Sequence, residues 1–469
     1  MKRVILIRPF NKEIFRQQTY PLGLGYLAAV LRQNDYWVRI FDLNILEITN
    51  QDSIKYIRKL KIDFIGVTAL SSYYPSMVDL CKIIKKDDEC KSISLIIGGV
   101  HVSALPEQSL RETGADIVVI GEGERTIVHL LKAFCDKENL ATVTGIGFLE
   151  EGEYVQTEPR ELIENLEELP YPAWDLIHPE IYPSLPHGVF FKRAPVLPIF
   201  TSRGCPFECN YCASKNFWRQ CIRNHSISRC VDEIEFLVNK YGAKEIHIWD
   251  DNFTLNRKRV IGFCREIRRR KLNLYFACPN GVRIDTLDEK LLKIMRSVGF
   301  YSLIFAVESG SQKVLNNVKK KLKLDKVPKI ISSAKKLGYF TRAFFILGLP
   351  TETVTDVHKT IRLALKLKLD QANLFIFSPL PGSTFFYEWI KDKNLSNIHW
   401  DFDYFNNPQN MTGFNEINQK QVSKLQKFFY IKFFLLRPHK LIRYITRFKL
   451  SQYAALFDRL LYALGMRFN

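Results

Sequence analysis

In roughly the first 135 residues, short apolar runs alternate with amphipathic segments. Val4–Arg8, Val38–Phe41, Phe64–Thr68, Leu95–Ile97 and Ile117–Ile120 are apolar at almost every position, the pattern of strands covered on both faces. Between them, Leu22–Asn34, Asp52–Leu60 and Ser76–Lys86 carry apolar residues at helical spacing. This alternation predicts an α/β fold built on a doubly wound parallel sheet, whose ligands sit at the carboxyl ends of the strands.

Periodicity fades over residues 140–195. That stretch holds Pro170, Pro172, Pro179, Pro183, Pro186 and Pro195 among the acids Glu161, Glu164, Glu167 and Glu168, and it reads as a linker. A second βα series follows. Its strands are Leu197–Ser202, Glu245–Trp249, Leu274–Ala277, Tyr301–Val307, Thr341–Ile346 and Ala372–Phe377, with helical patterns such as Val231–Tyr241 and Lys290–Ser297 between them. Six such units predict a partial (β/α)6 TIM-like barrel with its chemistry at the strand C-termini. The plan is therefore a domain over 1–139, a linker over 140–195, a barrel over 196–384 and a helical, basic segment over 385–469.

Composition narrows the setting. A chain of 469 residues suits two cores, and 46% hydrophobic with 25% charged residues is a globular balance. The formal net charge of +19 favours an anionic partner or substrate. The opening MKRVILIRPFNKE has too short an apolar run for a signal peptide, and no stretch reaches the length of a membrane span, so a cytoplasmic location is expected. Ten cysteines in such a chain suggest a metal site or buried thiols rather than disulfides.

The chemistry concentrates in Thr201-Ser-Arg-Gly-Cys-Pro-Phe-Glu-Cys-Asn-Tyr-Cys212, directly after the first barrel strand. Three thiolates in one loop can ligate three irons of a cubane cluster, leaving the fourth open to a small molecule. Structural zinc needs four ligands, and the nearest spare cysteines, Cys221 and Cys230, lie outside the loop. The spacing, with the aromatic Tyr211 before the last cysteine, resembles the signature of the radical S-adenosylmethionine (SAM) superfamily. That resemblance implies a [4Fe–4S] cluster on Cys205, Cys209 and Cys212, with SAM chelating the open iron. One electron from an external donor then breaks a sulfur–carbon bond of SAM, and the 5′-deoxyadenosyl radical abstracts a hydrogen atom from the substrate. By the same resemblance, SAM contacts fall on Tyr211, on Asp250 after the second barrel strand, and on Arg283 after the third. Glu308 after the fourth and Gly348 in Gly348-Leu-Pro-Thr-Glu352 after the fifth complete the set, and Pro379-Leu-Pro-Gly-Ser383 resembles the family's last turn. Each also has a plain structural reading as a helix cap or turn.

The first domain resembles the cobalamin-binding domain that precedes the barrel in a large radical SAM subclass. The likeness rests on Thr68-Ala-Leu70, on Gly98-Gly99 with His101, and on Gly121-Glu122-Gly123, all at strand ends, where glycines let backbone approach a bulky ligand. His101 faces either the ligand or the core. The loop from Phe10 to Pro21 contains no histidine, so a methionine-synthase-like histidine beneath the cobalt is not expected there. The resemblance implies methyl transfer to an unactivated carbon or to phosphorus of a small-molecule substrate. Alternatives are a cyclisation or rearrangement like that of the anaerobic tetrapyrrole cyclases, and a non-catalytic corrinoid or iron–sulfur sensor. Finally, residues 420–469 carry eleven lysines and arginines, from Lys420 to Arg467, and a single acid, Asp458, among aromatics such as Phe428, Phe429, Phe433 and Phe434. Such a helix either covers an open barrel edge or lies on an anionic membrane surface near a lipid-like substrate. No nucleic-acid partner is expected, because no recognised module appears.

Overall fold

The computed structural model describes residues 1–12, 19–182, 191–391 and 419–435, with residues 393, 398, 400, 417 and 438. Most of the loop from Phe10 to Pro21 and the basic stretch beyond 438 lie outside the described residues, and so do the readings attached to them.

Five parallel strands form the first sheet: β1 (Arg3–Arg8), β2 (Trp37–Asp42), β3 (Phe64–Thr68), β4 (Ser94–Gly98) and β5 (Ile117–Val119). Their order, β2-β1-β3-β4-β5, is that of a doubly wound sheet. Helices cover both faces, so the strands are buried almost throughout, as their apolar runs require. The stretch from 140 is expected to be linker, but it contributes two more strands: β6 (Ile146–Glu150) pairs antiparallel with β5, and β7 (Glu153–Gln156) pairs antiparallel with β6. Glu151 and Gly152 both take positive φ, 50° and 88°, the two-residue geometry that returns a hairpin on itself. A pair of strands this short carries too little alternation to stand out in the sequence.

The rest of the linker is packed. Trp174, Ile177 and Tyr182 join the core of the second domain, and Tyr182 stacks on Tyr20 with ring centroids 4.5 Å apart. Gly25 in helix Leu22–Gln33 makes this possible: a Cβ there would stand 2.6 Å from Ile177 and 3.0 Å from Pro172. The prolines thus fix an extended path over the first domain rather than a free tether.

The second domain is an all-parallel six-stranded sheet curved as a partial barrel. Its strands are β8 (Val196–Ile199), β11 (Glu245–Ile248), β12 (Tyr275–Val282), β13 (Phe300–Glu308), β14 (Phe340–Leu347) and β15 (Gln371–Ile376), adjacent in that order. A two-residue pair, β9 (Ser202–Arg203) with β10 (Arg223–Asn224), brackets the cysteine loop. At the strand N-termini, Glu245 accepts hydrogen bonds from Tyr301 (2.6 Å), His247 (2.8 Å) and the amides of Lys192 and Arg193. This polar plug leaves the C-terminal mouth as the open end.

The barrel's free edge is covered by helix Gln419–Leu435. Its Val422, Phe429 and Phe433 are fully buried in the barrel core, while Lys420, Lys424 and Lys427 stay exposed. Tyr430 accepts a hydrogen bond from the Leu374 amide (3.1 Å), and Gln426 donates to the Leu374 carbonyl (2.7 Å). Side chains thereby satisfy edge backbone that a seventh strand would otherwise pair. Among the described residues no helix is long and apolar enough to cross a membrane.

Candidate functional site

The cysteine loop is held from several sides before any cofactor is considered. Gly204 (φ 94°) lets it start: a Cβ there would stand 2.1 Å from the Cys221 carbonyl. The Asn210 amide donates to the Val318 carbonyl (3.1 Å), the Phe385 amide donates to the Asn210 carbonyl (3.1 Å), and the Cys209 thiol lies 3.9 Å from the Lys319 carbonyl. Arg283 lies 3.6 Å over the ring of Phe207 and donates to the Lys320 carbonyl (2.8 Å). Burial raises the free Cys205 thiol, and pushes that of Cys212 up to about 12, so positive charge at the site is needed for the thiolate forms. Among the described residues no three metal-binding side chains converge on one ion. Three cysteines that each bind a different iron of a cubane need not converge, and the donor set fits a cluster better than a single ion.

The SAM-side residues divide into those that open to the site and those bound up in the frame. Asp250 is 2% exposed, and its carboxylate accepts from the Thr201 amide (2.7 Å), the Thr201 hydroxyl (2.5 Å) and the Ser202 hydroxyl (2.6 Å). It braces the end of β11 to the approach of the cysteine loop, contrary to the expected contact with SAM. Its neighbour Asp251 is the acid that opens to the cavity described below, close enough to act on both Cys205 and Cys212. Burial raises the Asp251 carboxyl, and Asp250 beside it adds to the rise. A strand end puts consecutive residues on opposite sides, and the sequence alone does not say which acid points in. Arg283 is likewise committed to Asp285 as well as to Phe207 and Lys320. Glu308 sits at the end of β13 with φ 69°, a conformation a glutamate adopts only under constraint, and its carboxylate accepts from buried Lys320 (2.9 Å). Tyr211 packs beside it, among Val314, Val318 and Leu349. Gly348 (φ 80°) donates its amide to Glu352, which burial raises to about 8. Cysteine loop, Tyr211, Glu308 and Lys320 thus meet at one mouth.

On the first domain, Thr68 bonds the Gly98 carbonyl (3.2 Å), and Leu70 is largely exposed beyond β3. Gly99 (φ 112°) presses on Thr68 and Ala69, where a Cβ would stand 2.8 and 2.9 Å from their oxygens. A Cβ on Gly121 (φ 82°) would meet nothing within 4 Å, so that turn borders open space. Gly123 packs against Leu27 at the start of helix Glu124–Asp136. His101 takes the core reading: it is fully buried, stacked on Tyr74 at 3.9 Å, with Trp400 edge-on at 5.0 Å. Neither ring nitrogen has a hydrogen-bond partner among the described residues, and burial lowers its pKa to about 3.

Glu122 corrects a further expectation. Read from the sequence as a cobalamin contact, it instead anchors a buried ion cluster joining the two domains and does not line the cavity described below. Its carboxylate accepts from Arg203 (2.8 Å), Arg223 (2.6 Å) and the Ile163 amide (2.9 Å), and Glu124 takes the other Arg203 nitrogen (2.6 Å). All four side chains are at most 8% exposed. Arg203 lies two residues before Cys205, so the last turn of the first domain is tied directly to the cysteine loop. Sequence could have flagged this only as two basic residues and two acids far apart in the chain.

Between these parts lies a cavity of about 410 Å³. Val100, Ala104 and Gly121 form its first-domain wall, and Phe217, Trp218 and Asp251 its barrel wall. Gly382 closes a corner, where a Cβ would stand 3.5 Å from both Ala104 and Ala213. A flat, bulky ligand can lie here against Gly121 and Val100 of the first domain while facing Ala213 and Ser214, next to Cys212, on the barrel, so the cavity fits the corrin of a cobalamin.

Comparison with known proteins agrees with this arrangement. Residues 14–131 match the B12 binding domain model and residues 199–364 the Radical SAM superfamily model. An uncharacterized methyltransferase of Pyrococcus horikoshii is 34% identical over 94% of both chains. The cytidylyl-2-hydroxyethylphosphonate methyltransferase of Streptomyces wedmorensis is 29% identical over 83% of this chain and 82% of its own. The anaerobic magnesium-protoporphyrin IX monomethyl ester cyclase of Rubrivivax gelatinosus is 30% identical over 89% of this chain and 75% of its own. Among solved structures, the radical SAM methyltransferase TsrM of Kitasatospora setae, with tryptophan and a SAM analogue bound, superposes with a TM-score of 0.69 at 17% identity, over 81% of this chain and 75% of that one. The cobalamin-dependent radical SAM enzyme OxsB superposes at 0.68 and 21% identity, over 77% of this chain and 52% of that one. The chain belongs to the cobalamin-dependent radical SAM enzymes, whose cofactors are a [4Fe–4S] cluster, SAM and cobalamin.

Proposed function

We propose that the protein is a methyltransferase that alkylates an unactivated carbon or a phosphorus of a small, anionic substrate held between its two domains. The observation that carries this reading is the cavity, shared between the Gly121 turn of the first domain and the cysteine side of the barrel. In this reading Cys205, Cys209 and Cys212 hold the cluster, and SAM lies across the mouth between Tyr211, Glu308 and Gly348. Asp251, rather than Asp250, receives the SAM amino group. Thr68, Leu70, Gly98, Gly99, Gly121 and Gly123 border cobalamin. When bound, the cofactors supply a methyl carrier and a hydrogen-abstracting radical. The chain's own part is to orient: Lys320 fixes the Glu308 carboxylate, Arg283 stacks on Phe207 to fix the loop, and apolar Phe217 and Trp218 exclude water from the cavity.

The net charge of +19 and the phosphonate-bearing substrate named for the Streptomyces relative support an anionic substrate. Peripheral membrane contact through the basic stretch beyond residue 438 is proposed on its sequence alone. The test is product analysis under anaerobic, reducing conditions with a candidate substrate. Methyl transfer yields S-adenosylhomocysteine and 5′-deoxyadenosine together. Formation of 5′-deoxyadenosine alone with consumption of the substrate favours the second reading, cyclisation or rearrangement, which the likeness to the Rubrivivax cyclase keeps open.

A further inference from the structure

The cysteine loop has two sides, and they differ in chemistry. Cys205 and Cys212 are neighbours of Asp251, which lines the cavity. Cys209 lies under a strap that runs Val318-Lys319-Lys320-Lys321-Leu322-Lys323. The strap is fixed to the loop. The Val318 carbonyl takes the Asn210 amide, the Lys319 carbonyl lies 3.9 Å from the Cys209 sulfur, and the Lys320 carbonyl takes Arg283. Lys320 points inward to Glu308. Lys319 and Lys321 both hold left-handed backbone, φ 55° and 53°, and their side chains, with that of Lys323, are exposed. The acid facing this group is Glu208, next to Cys209. Lys321 pairs with it at 2.9 Å, while Lys319 and Lys215 also act on it, so the surface keeps an excess of positive charge.

Reductive chemistry on this loop needs one electron from outside for each SAM cleaved. In the proposed function the cavity takes cobalamin and substrate, whereas on the strap side the carbonyl of surface-exposed Lys319 lies 3.9 Å from the Cys209 sulfur. We propose that Lys319, Lys321 and Lys323 form the docking surface for an acidic one-electron carrier protein. The inference rests on the assignment of the cluster to Cys205, Cys209 and Cys212. In the step itself the carrier loses one electron and the cluster gains one, with no proton or bond exchanged. Charge complementarity near the acceptor raises the encounter rate, and salt screens it.

The experiment compares two reductants on the reconstituted holoenzyme, reading cluster reduction by its loss of visible absorbance and 5′-deoxyadenosine by chromatography. One reductant is a reduced, acidic flavodoxin and the other is dithionite. The triple variant Lys319→Gln/Lys321→Gln/Lys323→Gln should lower the flavodoxin-driven rate about tenfold at low ionic strength and flatten its salt dependence. Its iron content and dithionite-driven rate should match those of the parent. A control, Lys86→Gln/Lys91→Gln on the first domain, should leave both rates unchanged. An unchanged flavodoxin rate in the triple variant overturns the proposal, as does an equal loss in the control. An equal fall with both reductants places the effect in the loop itself and also overturns it. A parent that binds no cluster, or cleaves no SAM with dithionite, instead refutes the cluster assignment on which the inference stands.

Discussion

Replacing Glu122 with glutamine keeps the shape of the buried ion cluster and removes one of its two negative charges. In the parent, two guanidiniums face two carboxylates, all nearly excluded from water. In the variant Arg203 keeps Glu124 at 2.6 Å, while Arg223 faces a neutral amide in place of a carboxylate, beside the Ile163 carbonyl at 2.7 Å and the Trp218 ring at 5.4 Å. Stranding one buried charge costs about 3–5 kcal/mol. Glu124→Gln touches Arg203 alone and should cost less. Urea unfolding followed by circular dichroism reads the loss, and limited proteolysis within 157–182 reads whether the domains part. Acid gives a second signature. Burial alone would raise the Glu122 carboxyl, but Arg223 and Arg203 outweigh it and hold it below its ordinary 4.5. Its contribution is therefore complete above about pH 4.5 and is lost as pH falls through the lowered value, so parent and variant should converge in strong acid. A penalty under about 1 kcal/mol at neutral pH, or one that persists undiminished in acid, refutes the argument.

Three further outcomes follow from the same structure. Gly204→Ala should abolish iron incorporation, since its Cβ would stand 2.1 Å from the Cys221 carbonyl at a φ of 94°; a variant with full iron content contradicts this. Asp251→Asn should weaken SAM binding while leaving the melting temperature near that of the parent, whereas Asp250→Asn should lower the melting temperature by loosening Thr201 and Ser202, and calorimetry with a SAM titration separates the two. His101 is neutral when folded, with its pKa lowered to about 3 from 6.5, so the unfolded state gains the proton first and stability falls as pH drops from about 6.5. His101→Leu should remove that slope, about 1.4 kcal/mol per pH unit, and unfolding midpoints measured from pH 7 to pH 5 check it.

The elements were legible because their patterns are local. Five apolar runs match the five parallel strands of the first sheet and six more the strands of the second, to within a residue or two at most ends, since a strand buried on two faces leaves a nearly unbroken signal; the short β6 and β7 leave none. The cysteine loop was legible for a similar reason: its three cysteines stand within eight positions of one another. What stayed hidden depends on direction and on distance along the chain. Asp250 and Asp251 are chemically alike, and only the backbone at the end of β11 decides which one becomes a brace and which opens to the cavity. Glu122 stands in a glycine turn that borders the cavity, which made a ligand contact the natural reading. Yet its partners Arg203 and Arg223 lie 81 and 101 residues away, beyond any periodicity. The same carboxylate therefore serves the site without touching it. Gly121 borders the cavity while Glu122, one residue on, is held against the loop that carries Cys205. The distance between the two halves of the chemistry is thereby built into an ion cluster rather than left to the linker.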